Sequence, residues 1–437
     1  MKVQLVAPFR EEMLVSPSIA SLAPPTGLAV LAGLTPPEVE VSIVDENLAP
    51  VDLNRPSDLV GITTTTQTAP RAYWLADAFR SRGVKVVLGG MHTSVLPEEA
   101  GQHADAVVMG EAEEIWPQLL SDLQAGRLRP IYRGQGYPRL AGLPLPRRDL
   151  FQRESYVFPD TIYTTRGCPF GCTFCSVTSF FGGTYRSRPV EEVVKEVDGL
   201  GGRRLVFFLD DNIAAHTGRA KQLFRALIPY RLAWIGQASM TIARDEELLS
   251  LAAASGCLSL FLGIESLSPM NLSAVSKRHN AVEEYEAAIR RIHAHGIAVF
   301  GAFIFGLDHD TEDVFELAVR FAQRTRLEGA QFNVLTPYPG TPLMADLERE
   351  GRVLTRDWSQ YRSDRVVFAP RLMSAQQLQE GHNWAWREFY SLGSIWERVG
   401  LSHPRRCLMW ALNLNFHDGL LSKVLVDSLV TWGRKLL

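Results

Sequence analysis

The sequence predicts an α/β protein built from two successive parallel sheets and a mostly helical C-terminal region. Short apolar runs alternate with helix-like segments over residues 1–125 and again over residues 160–335. Runs that are apolar almost throughout are typical of parallel strands covered on both faces. Five such runs in the first segment predict a Rossmann-like, doubly wound sheet. Six runs in the second segment predict a partial (βα)6 barrel of the TIM type.

The same pattern sets the predicted domain boundaries. Residues 126–155 are rich in proline, arginine and glycine, which indicates a surface linker between a domain at 1–125 and a barrel at 156–336. Residues 337–437 hold six of the nine tryptophans, and we expect a helical region there that contacts substrate or forms a lid. Apolar residues recur on one helical face over 418–437. We expect that helix to dock on the barrel, with contact to lipid or to an apolar substrate as the alternative.

Composition narrows the class of protein. Of the 437 residues, 46% are hydrophobic and 21% are charged, and the formal net charge of -3 argues against a nucleic-acid partner. The five cysteines do not form a disulfide framework, so we expect a reducing compartment, the cytoplasm. The N-terminus reaches charged residues too early for a signal peptide, and no apolar run approaches the roughly 18–20 residues of a transmembrane segment.

Three of the cysteines lie within eleven residues, in the stretch TRGCPFGCTFC. Cys168, Cys172 and Cys175 follow the first predicted barrel strand with the spacing C-x3-C-x2-C. A structural zinc ion would need a fourth ligand, and neither a histidine nor another cysteine is near in sequence. A redox-active pair would leave Cys168 unexplained. A four-iron cluster normally takes four cysteines, so three cysteines leave one iron with an open site.

Polar residues and glycines stand at the ends of the later barrel strands, where βα barrels carry their active sites. They lie in LDDN (209–212), GIES (263–266), GAFIFGLDHDT (301–311) and TPYPGTP (336–342), with Gln237 at the end of the third strand. A glycine or an aspartate at a strand end is usually turn chemistry. In this order and with the cysteine motif, however, the stretches resemble the radical S-adenosylmethionine (SAM) superfamily.

The resemblance implies a [4Fe-4S] cluster held by the three cysteines, with SAM bound to the open iron through its amino and carboxylate groups. It places carboxylates at the end of the second strand, where they suit an ammonium group. It also implies that Glu265 accepts hydrogen bonds from a ribose or an ammonium. The residues expected to contact SAM are Phe174, Asp210, Asp211, Gln237, Gly263, Glu265 and Ser266.

Four stretches of the N-terminal segment narrow the resemblance to the cobalamin-binding radical SAM class. These are PPTGLAVLAG, TTTTQTAP, LGGMHTSVLPEEA and VVMGEAEEIWPQLL. In that class a Rossmann-like domain precedes the barrel. The hydroxyl groups and glycine backbone of these stretches suit a large ligand with amide side arms. The residues expected to cradle cobalamin are Pro25, Thr26, Gly27, Thr63, Thr64, Thr65, Thr66, Gly89, Gly90, Met91, His92, Gly110 and Glu111.

One feature of many cobalamin proteins is missing from the sequence. The loop after the first strand, APFREEM, lacks the D-x-H-x-x-G pattern that places a histidine under cobalt. We therefore expect cobalamin to bind without a histidine lower ligand, and His92 to be a surface or loop residue. The alternatives for this domain are another nucleotide-like ligand or a fold that binds nothing. NAD is disfavoured because no G-x-G-x-x-G follows the first strand.

The resemblance implies a cobalamin-dependent radical SAM methyltransferase. A 5′-deoxyadenosyl radical would take hydrogen from an unactivated carbon, and methylcobalamin would supply the methyl group. The alternatives are radical cyclisation, ring contraction or carbon–carbon bond formation with the same cofactors, and a non-catalytic sensor that holds a corrinoid and an iron–sulfur cluster. The expected partners are a small-molecule substrate, with the apolar C-terminal helix favouring a hydrophobic one, and an electron donor such as flavodoxin or ferredoxin.

Overall fold

A computed structural model describes residues 1–9, 23–400, 409, 410, 413, 414 and 416 of the chain. Within them, the protein forms two six-stranded parallel sheets and one two-stranded antiparallel hairpin. The predicted fold class is therefore confirmed. Cys407 and the helix predicted over 418–437 lie outside the described residues.

The strands and helices follow each other in an alternating order. The strands are β1 (Lys2–Ala7), β2 (Glu40–Asp45), β3 (Leu59–Thr64), β4 (Lys85–Gly90), β5 (Ala106–Met109), β6 (Ile131–Arg133), β7 (Thr161–Ile162), β8 (Thr165–Arg166), β9 (Arg186–Ser187), β10 (Leu205–Phe208), β11 (Ala233–Ala238), β12 (Cys257–Glu265), β13 (Ala298–Phe305) and β14 (Gly329–Val334). The helices are α1 (Thr26–Leu34), α2 (Ala69–Arg80), α3 (Met91–Val95), α4 (Pro97–Gly101), α5 (Trp116–Gln124), α6 (Ser176–Phe181), α7 (Val190–Asp198), α8 (Thr217–Leu227), α9 (Glu246–Ala254), α10 (Pro269–Ala274), α11 (Tyr285–Ala294), α12 (Val314–Arg324), α13 (Pro342–Arg349), α14 (Ala375–Phe389) and α15 (Leu392–Val399).

The first sheet has the strand order β2-β1-β3-β4-β5-β6. Its strands β1 to β5 are the five runs that the sequence predicts. One apolar cluster, around Trp116 and Leu119 of α5, covers one face, and another, around Leu75 and Phe79 of α2, covers the other. Burial on both faces explains why these strands are apolar almost throughout. The edge strand β6 lies within the segment that the sequence predicts as a linker.

The second sheet has the strand order β7-β10-β11-β12-β13-β14, so strands that follow one another along the chain pair in space. All six predicted barrel strands are present. Outward-facing residues such as Phe208, Trp234 and Phe332 pack in one large apolar cluster with the surrounding helices. The first and last strands stand at opposite ends of the sheet, which makes it the partial barrel that the sequence predicts.

Side chains cover both outer edges of this open sheet. At the β7 edge, the guanidinium groups of Arg148 and Arg188 donate to backbone carbonyls, and both pair with the buried Glu196. At the β14 edge, the Tyr390 hydroxyl of the α14 terminus donates to the carbonyl of Ala330 at 2.7 Å and accepts from its N–H at 3.1 Å. Unpaired strand edges are a liability in an open sheet, and these polar groups occupy them.

Helix α15 packs at the N-terminal end of the barrel strands. Ile395 and Val399 of α15, together with Met409, contact Ala298 at the start of β13. The buried guanidinium of Arg398 donates to backbone carbonyls nearby, including that of Leu327 at 2.8 Å. Helix α15 therefore lies at the end of the barrel opposite to the strand ends where an active site is expected. Among the described residues, no helix is both long and apolar enough to cross a membrane.

Candidate active site

The three cysteines lie on a loop, residues 167–175, which follows β8 and leads into α6; we call it the cysteine loop. Cys172 is buried, and Cys168 and Cys175 are half-buried. Within the described ranges, no group of three His, Cys, Asp or Glu side chains is close enough to hold a single metal ion. The charges of the three thiols nevertheless act on one another, so the thiols are near neighbours. A four-iron cluster needs three neighbouring thiols of this kind, because each cysteine binds a different iron.

Two aspartates after β10 anchor the first half of the cysteine loop. Asp211 accepts a hydrogen bond from the N–H of Gly167 at 3.0 Å. Gly167 has a φ of +81°, and a β-carbon there would collide with a backbone carbonyl of the β8–β9 hairpin, so glycine is required. Asp210 is fully buried and accepts hydrogen bonds from the hydroxyls of Thr164 and Thr165. Both aspartates position the loop, and their contact with SAM stays a prediction.

The segment 275–279 also holds the cysteine loop, and the sequence did not reveal this role. The N–H of Thr173 donates to the carbonyl of Val275 at 3.1 Å. The ring of His279 stacks on that of Phe170, with centroids 3.6 Å apart and planes 9° apart. Lys277 lies between these two contacts along the segment. No motif marks this segment in the sequence, because its role depends on where the chain after α10 passes.

The end of β12 brings Glu265 and Lys277 together. The Nζ of Lys277 donates to Oε1 of Glu265 at 2.7 Å, and both residues are buried. Glu265 has a φ of +65°, and the pairing of β12 with β13 shifts register between Gly263 and Glu265. Ser266 is buried as well, and its Oγ accepts from the N–H of Ser268 at 3.1 Å. The GIES stretch is therefore a buried turn that directs a carboxylate toward Lys277, and its contact with SAM stays a prediction.

The remaining two residues expected to contact SAM are Phe174 of the cysteine loop and Gln237 of β11. Phe174 is half-buried and packs against the barrel core. Gln237 is half-buried near the end of β11, and its backbone carbonyl accepts from the N–H of Ile213 at 3.0 Å. Phe174 thus belongs to the cysteine loop and Gln237 to a strand end of the barrel, and their contacts with SAM stay predictions.

The chemistry of this site fits a [4Fe-4S] cluster with SAM on its open iron. Burial is the largest effect on the Cys172 thiol and raises its pKa to about 11. The ammonium of Lys277 acts in the opposite direction but only partly offsets the effect of burial. Burial also raises the pKa of Cys168. Buried thiols become thiolates when a cation replaces their protons, and a cluster supplies that charge. When bound, the cluster would supply one electron to SAM; the three cysteines would hold it.

The strand ends of the N-terminal sheet form a second edge, at which the sequence predicts cobalamin. The hydroxyl of Thr64 donates to the carbonyl of Gly89 at 2.9 Å and lies 2.8 Å from the hydroxyl of Thr93. Gly90 has a φ of +103°, and a β-carbon there would stand 2.5 Å from the carbonyl oxygen of Thr64. The predicted residues that are half-buried or exposed at this edge are Pro25, Gly27, Thr63, Thr65, Gly89, Gly90, Met91, Gly110 and Glu111.

This N-terminal edge is open and fits a large ligand with amide arms. A β-carbon on Gly27 or Gly110 would meet no atom within 4 Å. The edge offers hydroxyls and glycine backbone, which can donate to and accept from amide groups. Thr26 differs from its neighbours because it is buried and its hydroxyl is hydrogen-bonded to that of Thr161 in the barrel. The predicted contacts with cobalamin stay predictions, and the donor set is compatible with them.

His92 is fully buried in α3, so the expectation of a surface or loop position is wrong. Its Nε2 lies 3.3 Å from Oε1 of Glu99, and its Nδ1 lies 3.4 Å from the hydroxyl of the buried Thr66. The ring of Trp358 packs edge-on against it, and the indole N–H donates to Glu99 at 3.0 Å. Burial lowers the pKa of His92, which favours the neutral ring. The histidine therefore connects α3 to the C-terminal region.

Ion pairs join the N-terminal edge to the cysteine loop. Glu111 pairs with Arg166 at 2.5 Å and with Arg186 at 2.6 Å. Arg166 also pairs with Glu113 at 2.6 Å and stands two residues before Cys168. Helix α3 of the N-terminal edge packs against α6, which follows the cysteine loop. The carboxylate of Glu111 is therefore engaged with the barrel, and the two predicted cofactor sites are neighbours.

Six side chains on the inner face of the barrel, all below Glu265, carry no charge. These residues are half-buried, whereas the residues between them point outward and are mostly buried in the core. Strand register places two phenyl rings, an isoleucine and three amides on this inner wall. They are Phe207, Ile235, Gln237, Phe261, Gln331 and Asn333. A wall of this kind offers apolar contact and hydrogen bonds but no charge.

Two family models match the chain. The model of the Radical SAM superfamily matches residues 162–322, and that of the B12 binding domain matches residues 14–120. The first range covers most of the partial barrel, and the second covers most of the N-terminal sheet.

Two relatives are similar over nearly the whole chain. The bacteriochlorophyllide d C-12(1)-methyltransferase of Chlorobaculum tepidum is 30% identical over 90% of this chain and 87% of its own length. The bacteriochlorophyllide d C-8(2)-methyltransferase of the same organism is 31% identical over 91% of this chain and 92% of its own length. Among solved structures, the radical SAM methyltransferase TsrM from Kitasatospora setae, with cobalamin and a [4Fe-4S] cluster bound, has a TM-score of 0.69. The two sequences are 18% identical, and the match covers 99% of each chain. This similarity supports the fold.

Proposed function

This chain belongs to the cobalamin-binding radical SAM enzymes, and we propose that it transfers a methyl group to an unactivated carbon of a large, apolar ring system. The observation that carries the proposal is the meeting of three surfaces. The cysteine loop, the N-terminal edge and the uncharged inner wall all lie at or just below the strand ends. A substrate on the inner wall would lie beside both cofactors.

The chain's own contacts set the distance between the two cofactor sites. When bound, the cluster with SAM would supply the hydrogen-abstracting radical, and cobalamin would supply the methyl group. Asp211 and Val275 hold the two halves of the cysteine loop. Glu111 and Arg166 tie that loop to the N-terminal edge. Groups held in a fixed relative position react far faster than groups that must find each other.

The loop after β14 helps to exclude water from this region. Gly340 of that loop has a φ of +77°, and a β-carbon on it would stand 2.7 Å from Cγ1 of Val95 in α3. The bond from Trp358 to Glu99 closes the same side. A primary carbon radical reacts with its surroundings unless the site is closed, so this packing supports radical chemistry.

The inner wall supports an apolar, ring-containing substrate. Phe207 and Phe261 present half-buried rings for stacking, and Gln237 and Asn333 offer amides that can orient a polar substituent. None of the six described side chains of this wall is a cation that could pair with a carboxylate. Two relatives are named as methyltransferases of bacteriochlorophyllide d. A chlorin-type tetrapyrrole is therefore the first substrate to test.

The test is turnover with a chlorin. Protein reconstituted without oxygen with iron, sulfide and hydroxocobalamin receives SAM, a low-potential reductant and a metal-free chlorin carrying alkyl side chains. We expect a product heavier by one CH2 group, detected by mass spectrometry. If 5′-deoxyadenosine forms and the product has gained no carbon atom, methylation is wrong and the enzyme catalyses one of the other radical reactions.

Variants of the inner wall test the substrate class. We expect Phe261→Leu to raise KM for the chlorin about 10-fold through lost stacking, with little change in SAM cleavage when substrate is absent. The control is Leu317→Ala, which changes an exposed residue of α12. If a polycyclic hydrocarbon lipid is methylated and the chlorin is not, the substrate class is wrong while the reaction class holds.

A further inference from the structure

Segment 275–279 lies against the cysteine loop and contacts it through its first and last residues. Val275 accepts from the N–H of Thr173, and the ring of His279 stacks on Phe170. Phe170 lies between the first two cysteines, and Thr173 lies between the last two. Lys277 is therefore fixed under the part of the loop that carries Cys172.

The ammonium of Lys277 is buried, pairs with one carboxylate and lies near enough to two cysteines for their charges to act on it. Only 7% of the residue is exposed, and its Nζ donates to Oε1 of Glu265 at 2.7 Å. Besides Glu265, the groups that act on it most strongly are the thiols of Cys172 and Cys175. Lys277 is thus the buried cation on the inner side of the cysteine loop.

The backbone is unusual on both sides of the contact between Glu265 and Lys277. Ser276 has a φ of +59° and Glu265 a φ of +65°, values that residues with side chains rarely adopt. A β-carbon on Gly263 would collide with the Glu265 carboxylate and stand 2.7 Å from the Lys277 Nζ. Unusual backbone conformations of this kind cluster at functional sites.

Fold stability does not account for the pair. A buried ion pair is often no more stabilising than apolar side chains of the same volume, because both charges lose their hydration. Apolar residues of the barrel core, Ile264 and Val275, stand close to the pair in sequence. An electrostatic interaction with the negatively charged cysteines would explain why a lysine is buried at this position.

We propose that Lys277 tunes the bound cluster, and that its ammonium makes the cluster easier to reduce. The proposal rests on the cluster assignment within the proposed function, and it is independent of the substrate. Reduction moves one electron from an external low-potential donor to the cluster; the donor is oxidised, the cluster gains one negative charge, and no proton moves. A buried positive charge favours the more negative state because the low local dielectric leaves it poorly screened.

The test is the reduction potential of the reconstituted cluster, titrated with dithionite and followed by electron paramagnetic resonance without SAM. We expect Lys277→Met to shift the potential to a more negative value. Lys277→Arg keeps the positive charge, so its potential should stay close to that of the unaltered protein. Glu265→Gln should shift it in the opposite direction, because it removes the carboxylate that offsets the ammonium. Arg278→Gln, at the exposed neighbouring position, is the matched control and should leave the potential unchanged.

Opposite shifts in the lysine and glutamate variants support the tuning role. An unchanged potential in Lys277→Met at full iron content overturns it, as do shifts of the same sign in both variants. If Lys277→Met assembles no cluster, the sign of the shift in Glu265→Gln decides the question. Failure of the unaltered protein to assemble a cluster would instead refute the proposed function itself.

Discussion

The cysteine loop and the N-terminal edge are held in place in opposite ways. The cysteine loop receives its anchors from distant parts of the barrel, including Asp211, Val275 and His279. The N-terminal edge is held mostly by its own neighbours, as in the bonds of Thr64 to Gly89 and Thr93. The cysteine loop therefore depends on the folded barrel, whereas the strand ends around Thr64 and Gly90 are held by hydrogen bonds within one sheet and its helix α3.

This difference sets how far the effect of a mutation should spread. A change in an anchor of the cysteine loop acts on a segment with little regular structure of its own. A change at the N-terminal edge acts on strand ends that the sheet already fixes. The contacts between the two regions, centred on Glu111 and Arg166, are the places where one site can affect the other.

The largest expected effect comes from the cysteines. Cys172→Ala should abolish the cluster, because two thiolates cannot replace three and the residue is buried in the loop. The measurement is iron content and visible absorbance after anaerobic reconstitution. Cys257→Ala, outside the loop, is the control and should retain both. A Cys172→Ala protein with the iron content of the unaltered protein would contradict the assignment, and the same holds for Cys168→Ala and Cys175→Ala.

The second-largest effect is expected from the ion pairs that join the two regions. Glu111→Gln leaves the half-buried guanidinium groups of Arg166 and Arg186 short of a counter-charge, at a cost of about 2 kcal/mol. We expect a lower free energy of unfolding in denaturant and slower cluster assembly. Glu114→Gln, at an exposed position, should change neither. Unchanged cluster assembly in Glu111→Gln would show that the two sites are independent.

A smaller effect is expected within the N-terminal edge. Gly90→Val forces a side chain into a backbone conformation with φ +103° and ψ -175°, against the carbonyl of Thr64, at a cost of about 2 kcal/mol. Corrinoid affinity, measured by equilibrium dialysis, should fall about 10-fold or more, while cluster content stays unchanged. Gly101→Ala, where a β-carbon meets no atom within 4 Å, is the control. Loss of the cluster in Gly90→Val would contradict the local character of this edge.

The smallest effect is expected from a single hydroxyl. Thr64→Val removes the hydrogen bonds to Gly89 and Thr93, a loss of about 1 kcal/mol. We expect corrinoid affinity to fall a few-fold with no change in SAM binding. The control is Thr35→Val, because Thr35 is on the far side of the domain and bonds the Trp116 indole. A larger loss for Thr35→Val than for Thr64→Val in corrinoid affinity would argue against the edge as the binding site.

The same contrast explains what the sequence could reveal. The spacing of Cys168, Cys172 and Cys175 is visible because cluster ligands from one short loop must be close in sequence. The two sheets are visible because strands buried on both faces are apolar almost throughout. Glycines such as Gly90 are visible at strand ends because the backbone there needs a conformation that other residues rarely adopt.

The remaining features depend on contacts between distant segments. Lys277 stands in VSKRHN, which reads as an ordinary polar loop until the fold places it under the cysteine loop. Glu111 reads as a cofactor contact at a strand end, but its carboxylate pairs with two arginines of the barrel. His92 reads as a loop residue, yet Glu99 and Trp358 bury it. Sequence patterns report local geometry, and these roles are tertiary.

The most direct test of the proposed reaction is the ratio of two products of SAM under turnover with the chlorin. Methylation by two cofactors uses one SAM as the radical source and a second to restore the methyl group on cobalamin. We therefore expect 5′-deoxyadenosine and S-adenosylhomocysteine in equal amounts, with the methyl label of CD3-SAM in the product. Formation of 5′-deoxyadenosine without S-adenosylhomocysteine, or label missing from the product, would contradict methyl transfer.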